Sequence, residues 1–226
     1  MLNIFKTRSE TKDLSWIGVD IHSHLLPGLD DGATDMANSL DLIQGLAELG
    51  FQRLYTTPHI FHELYPNNPE TISEVLEELR LAMAAKKMDT CIAAAAEYMV
   101  DEHFDVEARL ACLPDKHVLI EMSYLAESPY IEQSIFNLKV KGYQVILAHP
   151  ERYVFYHRNH TLLHRLHDMG ALFQLNLLSL GGYYGKTVEQ TAEQLLKDEY
   201  YHFAGTDLHH EKHLRALKKI TRSGEL

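Results

Sequence analysis

Short apolar runs alternate with amphipathic stretches along nearly the whole chain, and almost every run closes on a His, Glu or Asp. The runs fall near 16–24, 51–57, 91–97, 117–122, 143–148, 171–177 and 200–205. Between them, 35–49, 70–88, 131–141, 159–169, 187–197 and 210–220 carry apolar residues at helical spacing, while 102–112 reads as a short helix or an irregular segment. Seven strands alternating with helices imply a parallel α/β arrangement. Polar groups at the C-terminal ends of six of seven strands do not readily converge at one switch point of an open sheet. They do converge in a barrel-like closure, where (β/α) barrels place their chemistry, so such a closure is expected, with a doubly wound open sheet as the alternative.

The run Val19-Asp20-Ile21-His22-Ser23-His24 shows the pattern most clearly. Positions two apart share a face of a strand, so Asp20, His22 and His24 point the same way. Two imidazoles on one face can grip one metal ion, and Asp31 follows a Pro-Gly turn that folds the chain back toward them. The remaining strand ends offer His59 after Pro58, Glu97, Glu121, His149, and the pair Asp207 and His209. Glu97 and Glu121 end apolar runs, where an unpaired carboxylate is costly to desolvate. No Lys or Arg in those runs neutralises them locally. Divalent ions among five histidines and four carboxylates balance the charge, so His22, His24, Asp31, His59, Glu97, Glu121, His149, Asp207 and His209 are the candidate ligands.

Composition narrows the function. The chain has 226 residues, 46% of them hydrophobic, enough for one large domain at 16–226 behind a polar arm at 1–15. Its net charge of −11 argues against a nucleic-acid binder. It also means that an anionic substrate needs local positive charge, which bound metals supply. No apolar stretch is long enough to span a membrane and the N-terminus lacks the apolar run of a signal peptide, so a cytoplasmic enzyme is the simplest reading. Cys91 and Cys112 form no C-x-x-C pair and no C-x5-R arrangement, which excludes a cysteine-nucleophile tyrosine phosphatase. His157, His160, His164 and His167 form a helical stripe expected to face solvent. Gly185-Lys186-Thr187 resembles the end of a P-loop but has Leu180 where the first Gly is needed.

The segments Asp20-Ile-His-Ser-His-Leu-Leu-Pro-Gly-Leu-Asp-Asp-Gly32, Thr57-Pro-His59, the Glu97 strand, Glu121, His149-Pro-Glu-Arg152 and Gly205-Thr-Asp-Leu-His209 resemble, in order, the PHP (polymerase and histidinol phosphatase) superfamily. Within it they are similar to the bacterial metal-dependent protein-tyrosine phosphatases of capsule and exopolysaccharide operons, the CpsB/YwqE type. The resemblance implies a distorted (β/α)7 barrel with three divalent ions, manganese first and iron or zinc as alternatives. It places the first ion on His22, His24, Glu97 and Asp207, the second on Glu97, Glu121 and His149, and the third on Asp31, His59 and His209. The implied activity is phosphomonoester hydrolysis on the phosphotyrosine tail of a bacterial tyrosine kinase. Arg152, three residues after a ligand, is the expected clamp on the phosphoryl oxygens. A second substrate-binding arginine of the family falls nearest Arg215, with Lys212 or His210 as substitutes. The competing readings are a small-molecule phosphatase acting on histidinol phosphate and a non-catalytic metal-binding docking module.

Overall fold

The computed structural model describes residues 13–157 and 159–224. Among them the strands are β1 (Val19–Asp20), β2 (Arg53–Thr56), β3 (His59–Ile60), β4 (Cys91–Ala94), β5 (Glu97–Met99), β6 (His117–Glu121), β7 (Gln144–Ala148), β8 (Leu172–Asn176) and β9 (Tyr201–Gly205). The helices are α1 (Met36–Glu48), α2 (Pro69–Ala85), α3 (Ile131–Val140), α4 (His160–Asp168), α5 (Leu177–Leu180), α6 (Lys186–Lys197) and α7 (Glu211–Ser223). Residues 102–112 form turns without regular structure. No helix among the described residues is long and apolar enough to cross a membrane.

Every strand pair is parallel, in a three-stranded sheet ordered β1-β2-β4 and a six-stranded sheet ordered β3-β5-β6-β7-β8-β9. The seven expected runs appear as nine strands in two parallel sheets, because the chain is interrupted in two places. Pro58, which has no N–H for the ladder, separates β2 from β3. Ala95 and Ala96 separate β4 from β5, so Glu97 opens a strand rather than closing one. In both places the strand before the interruption joins the small sheet and the strand after it joins the large one. The first run is shorter than 16–24, because the ladder of β1 ends at Asp20. Beyond it, backbone bonds carry on at the rim: Thr57 N–H donates to Ser23 O, Asp207 N–H to His22 O and His24 N–H to Leu208 O.

Two apolar clusters account for the packing. The large one lies between strands and helices and includes Leu42, Ile43 and Leu46 of α1, Ile72 and Leu79 of α2, and Leu217 of α7. The small one joins Ala95, Leu113, Leu119, Ile146 and Ala148 to Ile21, Tyr55, Leu172 and Phe203. It draws on β2, β6, β7, β8 and β9 and on the residues next to β1 and β4. Glu121 and Gln174 stand two residues beyond Leu119 and Leu172, so they share the inward face and sit directly above this cluster.

Local sequence explains the helix boundaries. Asp35 caps α1 by accepting from Asn38 N–H. Asn68 and Thr71 form a reciprocal capping box on α2, with Pro69 at its first turn. Two expectations shift. Leu14, assigned to the arm, is fully buried and its N–H bonds Leu49 O, whereas residues 1–12 lie outside the described residues. The histidine stripe does not simply face solvent: His164 stacks on Tyr200 at 4.3 Å, and His167 packs edge-on against Phe173. The rings lie along the surface of β8 and β9 because the next side chains of the helix, Leu163 and Leu166, are fully buried.

The two ends of the chain are joined by a buried carboxylate. Asp20 accepts from Thr206 N–H at 2.9 Å and Thr206 Oγ1 at 2.6 Å, and burial still lifts it to about 6. Thr206→Val keeps the shape and leaves this carboxylate short of a donor. It is expected to lower unfolding stability by ~1–3 kcal/mol in urea titrations, and an unchanged midpoint would contradict the role.

Candidate metal centre

Nine acidic and imidazole side chains meet at the C-terminal rim of the strands. The tightest group is His22, His24, Glu97 and Asp207, all buried. His22 Nε2 lies 3.2 Å from His24 Nε2 and 3.1 Å from Glu97 Oε2, and each of the two imidazoles is 3.4 Å from Asp207 Oδ1. Donors ~2.1 Å from a common ion are ~3.4 Å apart at the edges of a tetrahedron, so the separations fit a shared cation. Two further groups overlap it: His24, Asp31, His59 and His209, and His59, Glu97 and Glu121.

The imidazole tautomers are set from outside the cluster. Gln174 Nε2 donates to Leu175 O, which turns its Oε1 toward His22 Nδ1 at 2.8 Å. Asp30 Oδ2 accepts from His24 Nδ1 at 2.7 Å, and the Asp207 carbonyl accepts from His209 Nδ1 at 2.9 Å. In each ring the proton is held on Nδ1, leaving the Nε2 lone pair of the neutral ring for the centre. His59 differs. Its buried Nδ1 is 2.9 Å from Glu121 Oε1 and 3.2 Å from Glu97 Oε2, yet makes no well-directed hydrogen bond. That orphaned nitrogen beside two carboxylates is what a metal-ligating position requires.

The expected second set is placed differently in one respect. His149 Nε2 lies 3.2 Å from Glu97 Oε1, but His59 rather than His149 completes the group with Glu97 and Glu121. His149 is also 3.4 Å from the Tyr124 hydroxyl. It and Asp207 adopt left-handed backbone at φ 34° and 50°, costly for residues with a Cβ and found where surrounding structure over-determines the chain.

Charge sets the protonation of the metal-free site. Burial disfavours imidazolium at His59, but Glu121 and Glu97 outweigh it and lift the ring to about 9. At His24 burial is likewise overcome by Asp30, Asp207 and Glu97, and the pKa stands well above the usual histidine range. Burial and repulsion from His24 push His209 down to about 4. Burial alone would raise Glu97 and Asp207, but the surrounding histidines hold both well below the carboxylate range.

Arg152 reaches the same cleft. Its Nη1 donates to Asp207 Oδ2 at 2.5 Å, and its Cζ lies 4.7 Å from the Tyr124 ring centre and 4.1 Å from that of Tyr184. Burial opposes its charge, but Tyr124, Asp207 and Tyr184 raise its pKa further. Arg215 is placed elsewhere, which corrects its expected role in substrate binding. It is exposed on α7, paired with Glu211 at 2.6 Å, and does not line the cleft. The physical reason is helical: α7 buries Leu214 and Leu217, which turns Arg215 outward. Lys212 is exposed as well, and His210 caps α7 by accepting from His213 N–H.

Residues 18–221 match the family described as capsular polysaccharide synthesis, CpsB/CapC. The chain belongs to the CpsB/CapC family. Tyrosine-protein phosphatase YwqE of Bacillus subtilis is 32% identical over 200 residues, 86% of this chain and 78% of that protein. Tyrosine-protein phosphatase CpsB of Streptococcus pneumoniae is 27% identical over 200 residues, 84% of this chain and 82% of that protein. A crystal structure from work on YwqE and CpsB, described as unique metal-dependent tyrosine phosphatases, superposes with a TM-score of 0.81 at 29% identity, over 91% of this chain and 87% of that one.

In this CpsB/CapC chain the support behind the donors is as specific as the donors. Glu151 is fully buried and accepts from Asn176 N–H, Ser179 Oγ and Tyr201 OH. Asn176 in turn donates its side-chain N–H to Asp207 Oδ2 at 2.9 Å. Asp30, Gln174, Glu151 and Asn176 are not among the sequence candidates. The signals were Asp30 beside Asp31 in a Gly turn, and Gln174 and Asn176 two apart in an apolar strand. Gly205 is equally constrained, since a Cβ there would stand 2.7 Å from His22 Cβ and 3.0 Å from Gln174 Nε2.

Gly205→Ala is expected to reduce bound metal by at least one ion per chain while far-UV dichroism stays unchanged; full metal content would refute this close approach. Metal uptake must also displace the protons on His24 and His59, whose pKa values are raised, so affinity rises with pH toward about 9. Acidification from pH 8 to 6 is expected to weaken binding by ~10⁴-fold overall, tenfold per displaced proton and pH unit. Competition with a chelator across that range measures it, and a flat profile would contradict the proton occupancy.

Proposed function

We propose that the chain is a metal-dependent protein-tyrosine phosphatase. The observation that carries this reading is the overlap of three donor groups in one cleft with Arg152. We assign three divalent ions to them, manganese first: the first on His22, His24, Glu97 and Asp207, the second on Glu97 and Glu121 with His59 or His149, and the third on Asp31 and His209 with His24 or His59. His59 has one lone pair when neutral and so serves one of the two sets. When bound, the ions supply Lewis acidity, activating water and neutralising the phosphoryl charge. Fold placement supports the PHP-type barrel as well. The rim bonds of residues 22–24 and the small cluster fed from all around the sheets are what a distorted (β/α)7 barrel would show.

The residues have separable tasks. Arg152 presents a planar fork to the equatorial phosphoryl oxygens, held in place by Asp207 and by the rings of Tyr124 and Tyr184. Glu97 holds imidazoles on both its oxygens. The phenolate leaving group, of pKa ~10, needs less proton donation than an alkoxide. The cleft, about 230 Å³, opens beside Leu64, which is 64% exposed, so a side chain on a peptide can enter. That favours a protein substrate over histidinol phosphate, and we assign the phosphotyrosine tail of a cytoplasmic bacterial tyrosine kinase in capsule synthesis.

Phosphate release from a phosphotyrosyl peptide with manganese, beside histidinol phosphate, tests the reading. Peptide turnover should vanish on chelation and in His22→Ala, and should persist in a Cys91→Ser/Cys112→Ser variant. Arg152→Ala is expected to lower kcat/KM by ~10²–10³. Preference for histidinol phosphate would overturn the protein-phosphatase assignment, and turnover of neither substrate with metal bound would overturn the enzyme.

A further inference from the structure

The segment between β3 and α2 is a built wall rather than a loose loop. Phe61 and Tyr65 form an antiparallel bridge, with Phe61 N–H donating to Tyr65 O at 2.9 Å and Tyr65 N–H to Phe61 O at 2.7 Å. Asn67 pins its base by donating one side-chain N–H group to both Leu29 O and His59 O at 2.8 Å. The Tyr65 ring lies almost parallel to the His59 imidazole, 16° apart at 5.5 Å between centres. Phe61, Leu64 and Tyr65 all line the cleft that holds the donor groups.

A phosphate ester bound among those donors must send its organic group out through the mouth, between this wall and the side formed by Tyr124 and Arg152. The Tyr124 ring is already covered by the Arg152 guanidinium. Of the two aromatic residues in the wall, Phe61 and Tyr65, Tyr65 is the one stacked on a donor, and its position is fixed before binding. Offset or edge-on contact between two rings is favourable, and a wall ordered in advance loses little freedom when it binds.

We infer that Tyr65, seated on His59 by the Phe61–Tyr65 hairpin, is the specificity-determining residue that selects aryl over alkyl phosphate esters. This rests on the phosphatase reading for turnover, but the binding preference stands apart from it. Phenylphosphonate and methylphosphonate are not hydrolysed, so calorimetry with the manganese-loaded protein separates the two questions. Phenylphosphonate should bind at least tenfold more tightly than methylphosphonate to the wild type and to Tyr65→Phe, and the advantage should disappear in Tyr65→Ala and shrink in Tyr65→Leu. In parallel, kcat/KM for a phosphotyrosyl peptide should fall about tenfold in Tyr65→Ala, mainly through KM.

Equal weakening of both phosphonates in Tyr65→Ala, including weakening through lost metal, would overturn the inference. So would an aryl preference that survives in Tyr65→Ala. An aryl preference in binding without turnover of any ester would leave Tyr65 as the selector and sink the phosphatase reading instead.

Discussion

The buried carboxylate of Glu97 is the constraint around which the rest is arranged. It has no solvent and no arginine, yet His22, His24, His59 and His149 all stand within 3.3 Å of its two oxygens. A carboxylate in an apolar strand is unfavourable unless it is paired and hydrogen-bonded. Here the partners arrive from three separate segments, the residues after β1, β3 and the residue after β7, which is possible because the strands run parallel and bring these positions to one rim. The break at Ala95 and Ala96 also belongs to this arrangement: it starts a new strand at Glu97 and sets that residue beside His59 in the ladder.

Much of this was legible in the chain because the chemistry sits at positions marked by period and punctuation. His22 and His24 share a face by alternation, and each ligand-bearing run ends at a Gly, Pro or charged break. What the sequence could not reveal was where a run is severed. Pro58 shows as a breaker, but the Ala95–Ala96 step has no turn residue, and its alanines fit a crowded strand equally well. Arg215 failed for a related reason. Distance along the chain from His209 was the guide, whereas the face it occupies depends on which side of α7 is buried.

The supporting residues were hidden differently. Gln174 and Asn176 look like ordinary polar positions until their partners, His22 and Asp207, are brought over from distant segments. Asp30 and Asp31 are adjacent and chemically identical, yet Asp30 turns inward to His24 while Asp31 stays half exposed. Only the backbone of the turn separates their tasks. The sequence named the atoms that face the centre, and the structure adds those that hold them still.

The Asp20–Thr206 link spans 186 positions, and the tightest donor group unites His22 and His24 with Asp207. Its members therefore lie far apart in sequence and meet only in the folded chain. Without β9 in place the two imidazoles are present but the carboxylate that completes their set is not. The complete donor set therefore exists only once β9 has docked beside β1, so closing the strands and assembling the grip on a cation are one event.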